Sequence, residues 1–254
     1  MGTLFVVATP IGNLGDITAR ALDILKKVDL IACEDTRQTI KLLNHSGIRK
    51  PLTSYHEFNE EEKAEDLADR LAGEESIALV CDAGTPAISD PGYRLVRLCR
   101  ERGIPVIAIP GPNAAVAALS ASGLPSGEFI FIGFLPAKKT ARLEKLMSIV
   151  NVPCTLVFYE SPHRIERVLE DMQEVLGDRE VCVAREITKI HEEYFFGKLS
   201  QVRNQVKALG EFVVVVSGAT EVRQAPLTRD QVLKMLGMTR NQLYEVVFKK
   251  ENAG

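Results

Sequence analysis

The sequence has little of what marks secreted, membrane-spanning or zinc-binding proteins. No apolar run is long enough to cross a bilayer, and the start, Met1-Gly2-Thr3, lacks the basic residues and cleavage site of a signal peptide. The five cysteines are scattered and include no Cys-x-x-Cys pair, so neither a disulfide framework nor a zinc site is indicated. We therefore expect a cytoplasmic protein with buried free thiols, no bound metal and no membrane partner.

A surplus of positive charge is also absent. The 31 lysines and arginines against 34 aspartates and glutamates give a net charge of -3, and the pI is about 5.9. This balance argues against broad affinity for nucleic acid, although it is compatible with a local basic patch. If RNA is the substrate, a few placed cations must bind it. The 254 residues, of which 46% are hydrophobic, suffice for two soluble domains.

Apolar runs alternate with helical periods in the first half of the chain. Continuous apolar strands separated by helices are typical of a mostly parallel sheet covered on both faces, so the predicted fold class is α/β. Asp16 is the expected N-cap of the first helix. The expected strands are 4–9, 30–33, 77–81 and 106–109, and the expected helices are 17–28, 40–44, 60–71, 94–101 and 114–121.

Residues 122–128 are rich in glycine, proline and serine and form the expected linker between an N-terminal domain, 1–121, and a C-terminal domain, 129–220. The second half repeats the alternation of apolar strands and helices seen in the first. We expect strands at 129–133, 155–159, 180–184 and 212–217, an extra antiparallel strand at 192–196, and helices at 143–149, 165–176 and 202–209. Residues 221–254 are expected to form a short tail of two helices, with Thr228 and Thr239 as caps.

Four loops rich in glycine or proline follow apolar strands, at 8–16, 82–92, 110–113 and 133–136. Ligands of open α/β sheets bind outside the carboxyl ends of the strands, where small residues let the backbone approach. One such loop indicates only a tight turn, whereas four in one chain favour a ligand site. None is a GxGxxG or P-loop motif, and the first three contain no Lys or Arg. A ligand with its own positive charge, such as a sulfonium, therefore fits better than a polyphosphate.

Charged residues concentrate outside these loops as well. Glu34, Asp35 and Arg37 form either a functional charge group or a helix N-cap with a salt bridge, and the sequence favours neither. Segments 159–164 and 184–193 carry several cations, which form either a phosphate-contacting edge or a charge-balanced solvated loop. The basic residues Lys138, Lys139 and Arg142 either extend that edge or begin a solvated helix.

Seven motifs occur along the chain in a fixed order: VATPIGNLGD (7–16), EDTR (34–37), CDAGTPAISDPG (81–92), PGPNA (110–114), GFLP (133–136), YESPHR (159–164) and AREITKIHEE (184–193). In this order and spacing they resemble the ribosomal RNA small subunit methyltransferase I family of the tetrapyrrole methylase superfamily. The resemblance covers about residues 3–218. It implies two α/β domains with S-adenosylmethionine (SAM) in the cleft between them, a homodimer, and 2′-O-methylation of a cytidine in the decoding region of 16S rRNA.

The resemblance assigns SAM to the loops of the first half. Gly84-Thr85-Pro86 stands where many tetrapyrrole methylases carry Gly-Asp-Pro, so Thr85 departs from the superfamily pattern but is usual in the rRNA branch. The expected SAM contacts are Pro10, Gly84, Thr85, Pro86, Ile88, Ser89, Asp90, Ala114 and Ala115.

The implied reaction is an in-line attack of the ribose 2′-hydroxyl on the methyl group of SAM. It needs orientation and a path for the hydroxyl proton, not a metal. The candidates for holding or deprotonating the hydroxyl are Lys189, Glu186 and Asp35, and the sequence does not choose among them. The expected RNA contacts are Arg37, His163, Arg164 and Arg185, on 16S rRNA presented within the 30S subunit.

Two rival functions stay open at this point. A methyltransferase acting on a corrin-type tetrapyrrole shares the fold, but segments 159–164 and 184–193 match the rRNA branch. A non-catalytic RNA-binding assembly factor is the second rival, and the acidic pI and the four ligand-type loops speak against it.

Overall fold

The computed structural model describes residues 1–220 and Thr239, and these residues form two five-stranded sheets. The two helices predicted for 221–254 therefore lie outside the described residues. The first half contains β1 (Leu4–Val7), α1 (Ala19–Lys27), β2 (Leu30–Cys33), α2 (Thr36–His45), β3 (Leu52–Ser54), α3 (Glu60–Ala72), β4 (Ile77–Val80), α4 (Tyr93–Glu101), β5 (Val106–Ile109) and α5 (Ala114–Ala121). The second half contains β6 (Phe129–Phe134), α6 (Lys139–Ser148), β7 (Thr155–Glu160), α7 (Ile165–Leu176), β8 (Glu180–Arg185), β9 (Glu193–Lys198), α8 (Leu199–Val202) and β10 (Phe212–Val216).

The first sheet is entirely parallel, with the strand order β3-β2-β4-β1-β5, as the continuous apolar strands predict. Successive side chains of a strand point to opposite faces, so β4 serves two cores. Ile77 and Leu79 pack on the side of α3 and α4, and Ala78 and Val80 on the side of α1. Strand β3 was not predicted, because its three half-buried residues carry no periodic signal.

Asp16 was wrongly predicted as the N-cap of α1. The cap is Thr18, whose side chain accepts a hydrogen bond from the Ala21 backbone N–H at 3.1 Å. Asp16 instead ends a short 3₁₀ turn, Leu14–Asp16, and its carboxylate is hydrogen-bonded by the hydroxyl of Thr188 from the second half. Asp and Thr are both good N-caps, so composition alone does not choose between two candidates so close in sequence.

The second sheet is mixed, which corrects the expectation that it repeats the parallel style. Its order is β6-β7-β10-β8-β9; only β6 and β7 pair in parallel, and the other neighbours are antiparallel. A fully buried strand such as Phe212–Val216 is apolar throughout, so its pattern does not reveal its direction. The extra antiparallel strand is confirmed as β9.

The helix predicted at 202–209 is wrong, since helical structure ends at Val202. Val202, Val206 and Leu209 have helical spacing, but Leu209 is 67% exposed and does not join the core. Arg142 neither extends a basic edge nor lies in a solvated helix start, so both alternatives considered for it are wrong. Its side chain is buried and pairs with Asp171 at 2.6 Å, which joins α6 to α7.

Helix α5 belongs to the first half by chain order but packs on the second sheet. Its buried Ala118 and Leu119 share a core cluster with Val157 of β7 and Val213 of β10. Residues 122–128 contain neither helix nor strand. The domain boundary placed there stays a prediction, and the shared core shows that the two halves are packed against one another.

All five cysteines are free thiols, four of them buried and Cys154 half-buried, as expected from their apolar surroundings. Among the described residues, no helix is both long and apolar enough to cross a membrane. Within the same residues, no group of three or more His, Cys, Asp or Glu side chains is arranged to hold a metal ion.

Candidate active site

A cleft of about 370 Å³ opens between the two sheets, beyond the carboxyl ends of their parallel strands. This volume lies in the range of small-molecule sites. The first-half wall of the cleft is formed by Ile11, Ala83, Gly84, Thr85, Ile88, Ser89, Asp90, Asn113 and Ala114. The second-half wall is formed by Phe134, Tyr159, Glu160, Ser161, Pro162, Ile187, Lys189, Glu211, Phe212 and Val213.

Backbone hydrogen bonds tie the loops of the first-half wall together. Thr9 and Gly84 exchange two of them: the Thr9 N–H donates to the Gly84 carbonyl at 2.8 Å and the Gly84 N–H donates to the Thr9 carbonyl at 3.1 Å. The Thr85 hydroxyl donates to the carbonyl of Pro112 at 3.1 Å, which joins loop 82–92 to loop 110–113. Gly84 has a φ of +91°, a backbone conformation that favours glycine. The three loops thus form one preorganised surface of small residues.

Strained backbone is concentrated on two loops that contribute to opposite walls. Five described residues other than glycine have positive φ, and four of them lie on these loops: Ala87 and Ser89 in loop 82–92, and Glu186 and Thr188 after β8. Such conformations cost free energy and cluster at ligand sites when the surrounding structure holds them. Their distribution supports a site at the cleft rather than two accidental tight turns.

Aromatic rings form the part of the second-half wall next to α5. The Tyr159 hydroxyl accepts a hydrogen bond from the backbone N–H of Ala115 at 3.3 Å, and burial raises the pKa of this phenol. The Phe134 ring meets Tyr159 edge to face, with ring centroids 5.7 Å apart. Phe134 is nevertheless 56% exposed, so a ring face is available to a ligand in the cleft.

The loop after β8 bridges the two halves at one side of the cleft. The Thr188 hydroxyl donates to the carboxylate of Asp16, across 172 residues of chain. The Lys189 side chain lies over the backbone of Gly12 so closely that a Cβ at Gly12 would come within 2.5 Å of Lys189 Cγ. Gly12 therefore makes room for the lysine that enters the cleft.

Lys189 is held between two carboxylates. Its Nζ donates to Glu186 Oε1 at 2.9 Å and to Glu211 Oε2 at 2.7 Å, and the Glu211 backbone N–H also donates to Glu186 Oε1 at 2.9 Å. Partial burial alone would lower the pKa of Lys189, but the hydrogen bonds to the two glutamates outweigh it and raise the pKa. For Glu186, burial acts to raise the pKa, and the Lys189 contact outweighs it and lowers it. Lys189 is thus a cation, not a neutral base.

Asp90 is an ionisable residue of the cleft lining whose pKa is shifted upward. Burial, together with the nearby Glu34 carboxylate, raises the pKa of Asp90 to about 6. The described lining of the cleft contains Asp90, Glu160, Glu211 and one cation, Lys189. Glu160 is paired with Arg164, and Lys189 is shared between Glu186 and Glu211, so carboxylates remain in surplus. The cleft is therefore acidic.

The structure brings together most of the residues predicted to bind the cofactor. Gly84, Thr85, Ile88, Ser89, Asp90 and Ala114 all line the first-half wall. Pro10, Pro86 and Ala115 are buried directly beside lining residues and do not line the cleft themselves.

Of the three residues considered for the hydroxyl, only Lys189 lines the cleft; Glu186 lies behind it as its partner. Asp35 is outside the cleft. It is the N-cap of α2 and accepts hydrogen bonds from both the backbone and the guanidinium of Arg37, and these bonds lower its pKa to about 2. The alternative of a helix cap with a salt bridge therefore describes this pair, and the catalytic role considered for Asp35 has no support in its position.

The cations predicted to contact RNA differ in accessibility. Arg37 has an 86% exposed side chain, and His163 is exposed as well. Arg164 is largely enclosed and donates to Glu160 Oε2 at 2.8 Å and to the Leu135 carbonyl at 2.7 Å. Arg185, with a side chain only 10% exposed, pairs with Glu193 at 3.2 Å. Both arginines are paired within the protein, so their positions give no support to the prediction that they contact phosphates, which stays a prediction.

Several residues of the second-half wall were not predicted. Phe134 and Tyr159 lie inside the quoted motifs GFLP and YESPHR, so an aromatic residue at the end of a strand and close to a proline is a usable signal. Glu211 and Phe212 lie in none of the motifs. They reach the cleft because β10 runs antiparallel to its neighbours and begins at this edge, a feature that local sequence does not encode.

The chain is similar to a known protein family and to named relatives. Residues 3–203 match the family model described as Tetrapyrrole (Corrin/Porphyrin) Methylases. The chain is 51% identical over 233 residues to the ribosomal RNA small subunit methyltransferase I of Xylella fastidiosa, covering 89% of this chain and 85% of the relative. It is 50% identical over 246 residues to the protein of the same name from Vibrio cholerae, covering 94% and 85%.

Solved structures share the fold. A uroporphyrin-III C-methyltransferase from Thermus thermophilus, complexed with S-adenosyl homocysteine, superposes with a TM-score of 0.58 at 19% identity. The match covers 85% of this chain and 97% of that one.

Proposed function

We propose that this chain, which belongs to the tetrapyrrole methylase family and, within it, to the ribosomal RNA small subunit methyltransferase I family, transfers a methyl group from SAM to the RNA of the small ribosomal subunit. The observation that carries the proposal is the acidic cleft between the sheets, whose first-half wall combines backbone, small side chains and Asp90. The names of the relatives support RNA as the substrate.

The residues of the cleft fit SAM. SAM carries a sulfonium and an ammonium, and a cleft with a surplus of carboxylates attracts such a ligand. Asp90, whose pKa is already raised, gains most from a positive ligand group, because that charge offsets the repulsion from Glu34. Gly84 lets the backbone of loop 82–92 approach the ligand, and Ala114, at the start of α5, leaves room beside it.

SAM, when bound, supplies an electrophilic methyl group on sulfur. Lys189 then holds the attacking oxygen: its ammonium donates a hydrogen bond and stabilises the negative charge that develops as the proton leaves. Because its pKa is raised, Lys189 does not itself take that proton, which would pass to water as the oxygen–methyl bond forms and the methyl–sulfur bond breaks. Glu186 and Glu211 fix the position of Lys189, which places the substrate oxygen in line with the methyl group.

We further propose that the acceptor is the 2′-oxygen of a cytidine ribose in the decoding region of 16S rRNA, presented within the 30S subunit. The family resemblance supports the chemical identity of the acceptor. The net charge of -3 supports a preformed surface, since counterion release from many phosphates cannot drive the binding of an acidic protein. A cytoplasmic location is part of the same proposal.

The test is methyl transfer from labelled SAM to 30S subunits, followed by alkaline hydrolysis. A 2′-O-methyl group blocks cleavage at its own phosphodiester, so the label should appear in an alkali-stable dinucleotide. Label in an ordinary mononucleotide would place the methyl group on a base. Equal rates on a short oligonucleotide and on the subunit would contradict only the proposal that the RNA is presented within the 30S particle, and not the proposed acceptor atom.

A homodimer is proposed through the outer edges of the two sheets. β5 and β6 are edge strands and expose Ile107, Phe129 and Ile130, and Val116 of α5 is exposed as well. Exposed apolar edge strands are normally covered. Light scattering should give twice the chain mass, and the double variant Ile107→Lys and Ile130→Lys should give the mass of a single chain. A monomeric mass for the unaltered protein would refute the proposal.

A further inference from the structure

The cleft itself is poorly suited to hold the phosphates that flank a target ribose. In its described lining, Lys189 is the one cation, and it already pairs with Glu186 and Glu211. Asp90 adds negative charge, and Glu160 is paired with Arg164. Phosphates of a bound RNA must therefore meet cations outside the cleft but close to its mouth.

The second-half wall continues directly into an exposed basic surface. Phe134 and Tyr159 are paired neighbours at the ends of the parallel strands β6 and β7, so the segments that follow these strands lie side by side at the same edge of the sheet. Lys138 and Lys139 begin α6, four and five residues after Phe134, and His163 comes immediately after the lining residue Pro162.

All four residues of this surface are exposed: the cations Lys138, Lys139 and Arg167, and the imidazole of His163. Arg167, one turn into α7, donates a hydrogen bond to the backbone carbonyl of His163, which keeps the two residues adjacent. Helices α6 and α7 are packed together, and the buried pair of Arg142 and Asp171 fixes their relative position. The four side chains therefore project from a rigid support.

We propose that this α6–α7 face, formed by Lys138, Lys139, His163 and Arg167, is the docking surface for the RNA backbone next to the methylated nucleotide. The inference rests on the proposed function and deepens it. It replaces the enclosed Arg164 and Arg185 with accessible cations that are continuous with the cleft wall. The exposed ring of Phe134 lies at the boundary, where an unstacked base can contact it.

The charge of this face limits how many phosphates it holds. Glu166 and Glu170 are also exposed on α7, so the surface is a small patch and not a broad basic field. Each phosphate contact to a single strand contributes roughly 0.7 to the slope of log affinity against log salt. With three cations, the slope should be about 2 at most.

The test compares two double variants of the full-length protein. Lys138→Gln with Lys139→Gln removes two charges from the docking face. Lys26→Gln with Lys27→Gln removes two exposed lysines from the last turn of α1, directly before β2 and so at the amino ends of the parallel strands, away from the cleft, and serves as the matched control. Methyl transfer is measured on 30S subunits that lack the modification, at several salt concentrations, together with S-adenosylhomocysteine affinity and melting temperature.

The docking-face variant should raise the KM for 30S subunits about 20-fold at 0.1 M salt and lower the salt slope by about 1.4. Its kcat and S-adenosylhomocysteine affinity should match those of the unaltered protein. Its melting temperature should fall only slightly, because Lys139 Nζ lies 3.6 Å from Asp171 Oδ1 but Asp171 keeps its pair with Arg142. The control variant should behave like the unaltered protein throughout. An unchanged KM and slope in the docking-face variant, or equal changes in both variants, would overturn the inference. Absence of transfer by the unaltered protein would instead refute the proposed function.

Discussion

The two walls of the cleft are built in different ways. In the first-half wall, backbone hydrogen bonds between loops hold small side chains and carry no cation, as between Thr9 and Gly84. In the second-half wall, long and aromatic side chains are held by contacts between distant residues, as between Lys189 and Glu211. The first wall suits one small ligand of fixed shape. The second wall, which continues into the α6–α7 face, suits a larger substrate that binds and leaves as a unit.

Replacement of a glycine in the first-half wall should have the largest effect. Gly84→Val places a branched side chain at a φ of +91° and fills space at the ligand face; a Cβ there would lie 3.5 Å from Ile11 Cγ2, so the protein's own atoms leave it room. Affinity for SAM should fall about a thousandfold, which is roughly 4 kcal/mol. Isothermal titration with SAM measures it.

Gly103→Val is the matched control. Gly103 also has positive φ, at +69°, but a Cβ added there would have no other atom within 4 Å, and the residue is not part of the cleft lining. The control variant should lower the melting temperature comparably and leave SAM affinity unchanged. Normal SAM binding by Gly84→Val would contradict the proposal that the first-half wall binds the cofactor.

The second-half wall should depend instead on its ion pairs. Arg164→Met leaves the carboxylate of Glu160, whose side chain is 1% exposed, without its cation. An unpaired buried charge costs about 3 kcal/mol, or more than a hundredfold in the folding equilibrium. The melting temperature should therefore fall by roughly 6–12 °C.

Arg37→Met provides the comparison, because the Arg37 side chain is exposed and its loss should change stability by no more than about 0.5 kcal/mol. Thermal denaturation of both variants decides the matter. If Arg164→Met melts normally but binds 30S subunits weakly, Arg164 is a phosphate contact after all.

The contrast between the walls also explains what the sequence could predict. Loop 82–92 was predicted as part of a ligand site because glycine and proline reveal special backbone conformations locally, whereas Ala114 was assigned to the cofactor by the family resemblance alone. The parallel first sheet was predicted from continuous apolar strands. The role of Arg164 was missed, because an arginine in a motif looks the same whether its partner is a phosphate or Glu160 four residues earlier.

Strand direction was equally hidden. β10 is apolar on both faces, so nothing in Phe212–Val216 indicates that it runs antiparallel and brings Glu211 to the cleft. The prediction of a helix at 202–209 was wrong for a related reason. The apolar spacing of this segment is helical, but the chain has to turn after Val202 to enter β10. Long-range packing, not local propensity, decides such segments.

Lys189 offers a test of the chemistry at the second-half wall. Lys189→Met removes the cation that we assign to the attacking oxygen, while the unbranched methionine side chain can keep the packing over Gly12 in loop 8–16. The kcat for methyl transfer should fall about a hundredfold, as for loss of one charge-stabilising donor. SAM affinity should change less than about threefold.

Lys207→Met, at an exposed lysine outside the cleft, is the control and should retain full activity. Single-turnover rates on 30S subunits separate chemistry from release of the product. A Lys189→Met enzyme with normal kcat would remove Lys189 from the reaction and leave it as a structural link between Glu186 and Glu211.

The smallest effect should come from the pH dependence of cofactor binding. In the unliganded protein the pKa of Asp90 is raised to about 6 by burial and by Glu34, so the folded state binds more protons than the unfolded state below that pH. Stability from this group is therefore present at low pH and lost as the pH rises through about 6.

Cofactor binding depends on pH with the opposite sign. A positive ligand group favours ionised Asp90, so below pH 6 each binding event must release a proton. SAM affinity should be flat above this pKa and should fall up to about tenfold per pH unit below it. The slope should vanish in Asp90→Asn. Glu34→Gln should move the break to lower pH, because it removes the repulsion from a neighbouring carboxylate. Titrations at several pH values in buffers of different ionisation enthalpy give both the affinity and the number of protons released. Affinity independent of pH across the range from about 5 to 8 would mean that the ligand's charge faces a group other than Asp90, and the first-half wall would then act through shape alone.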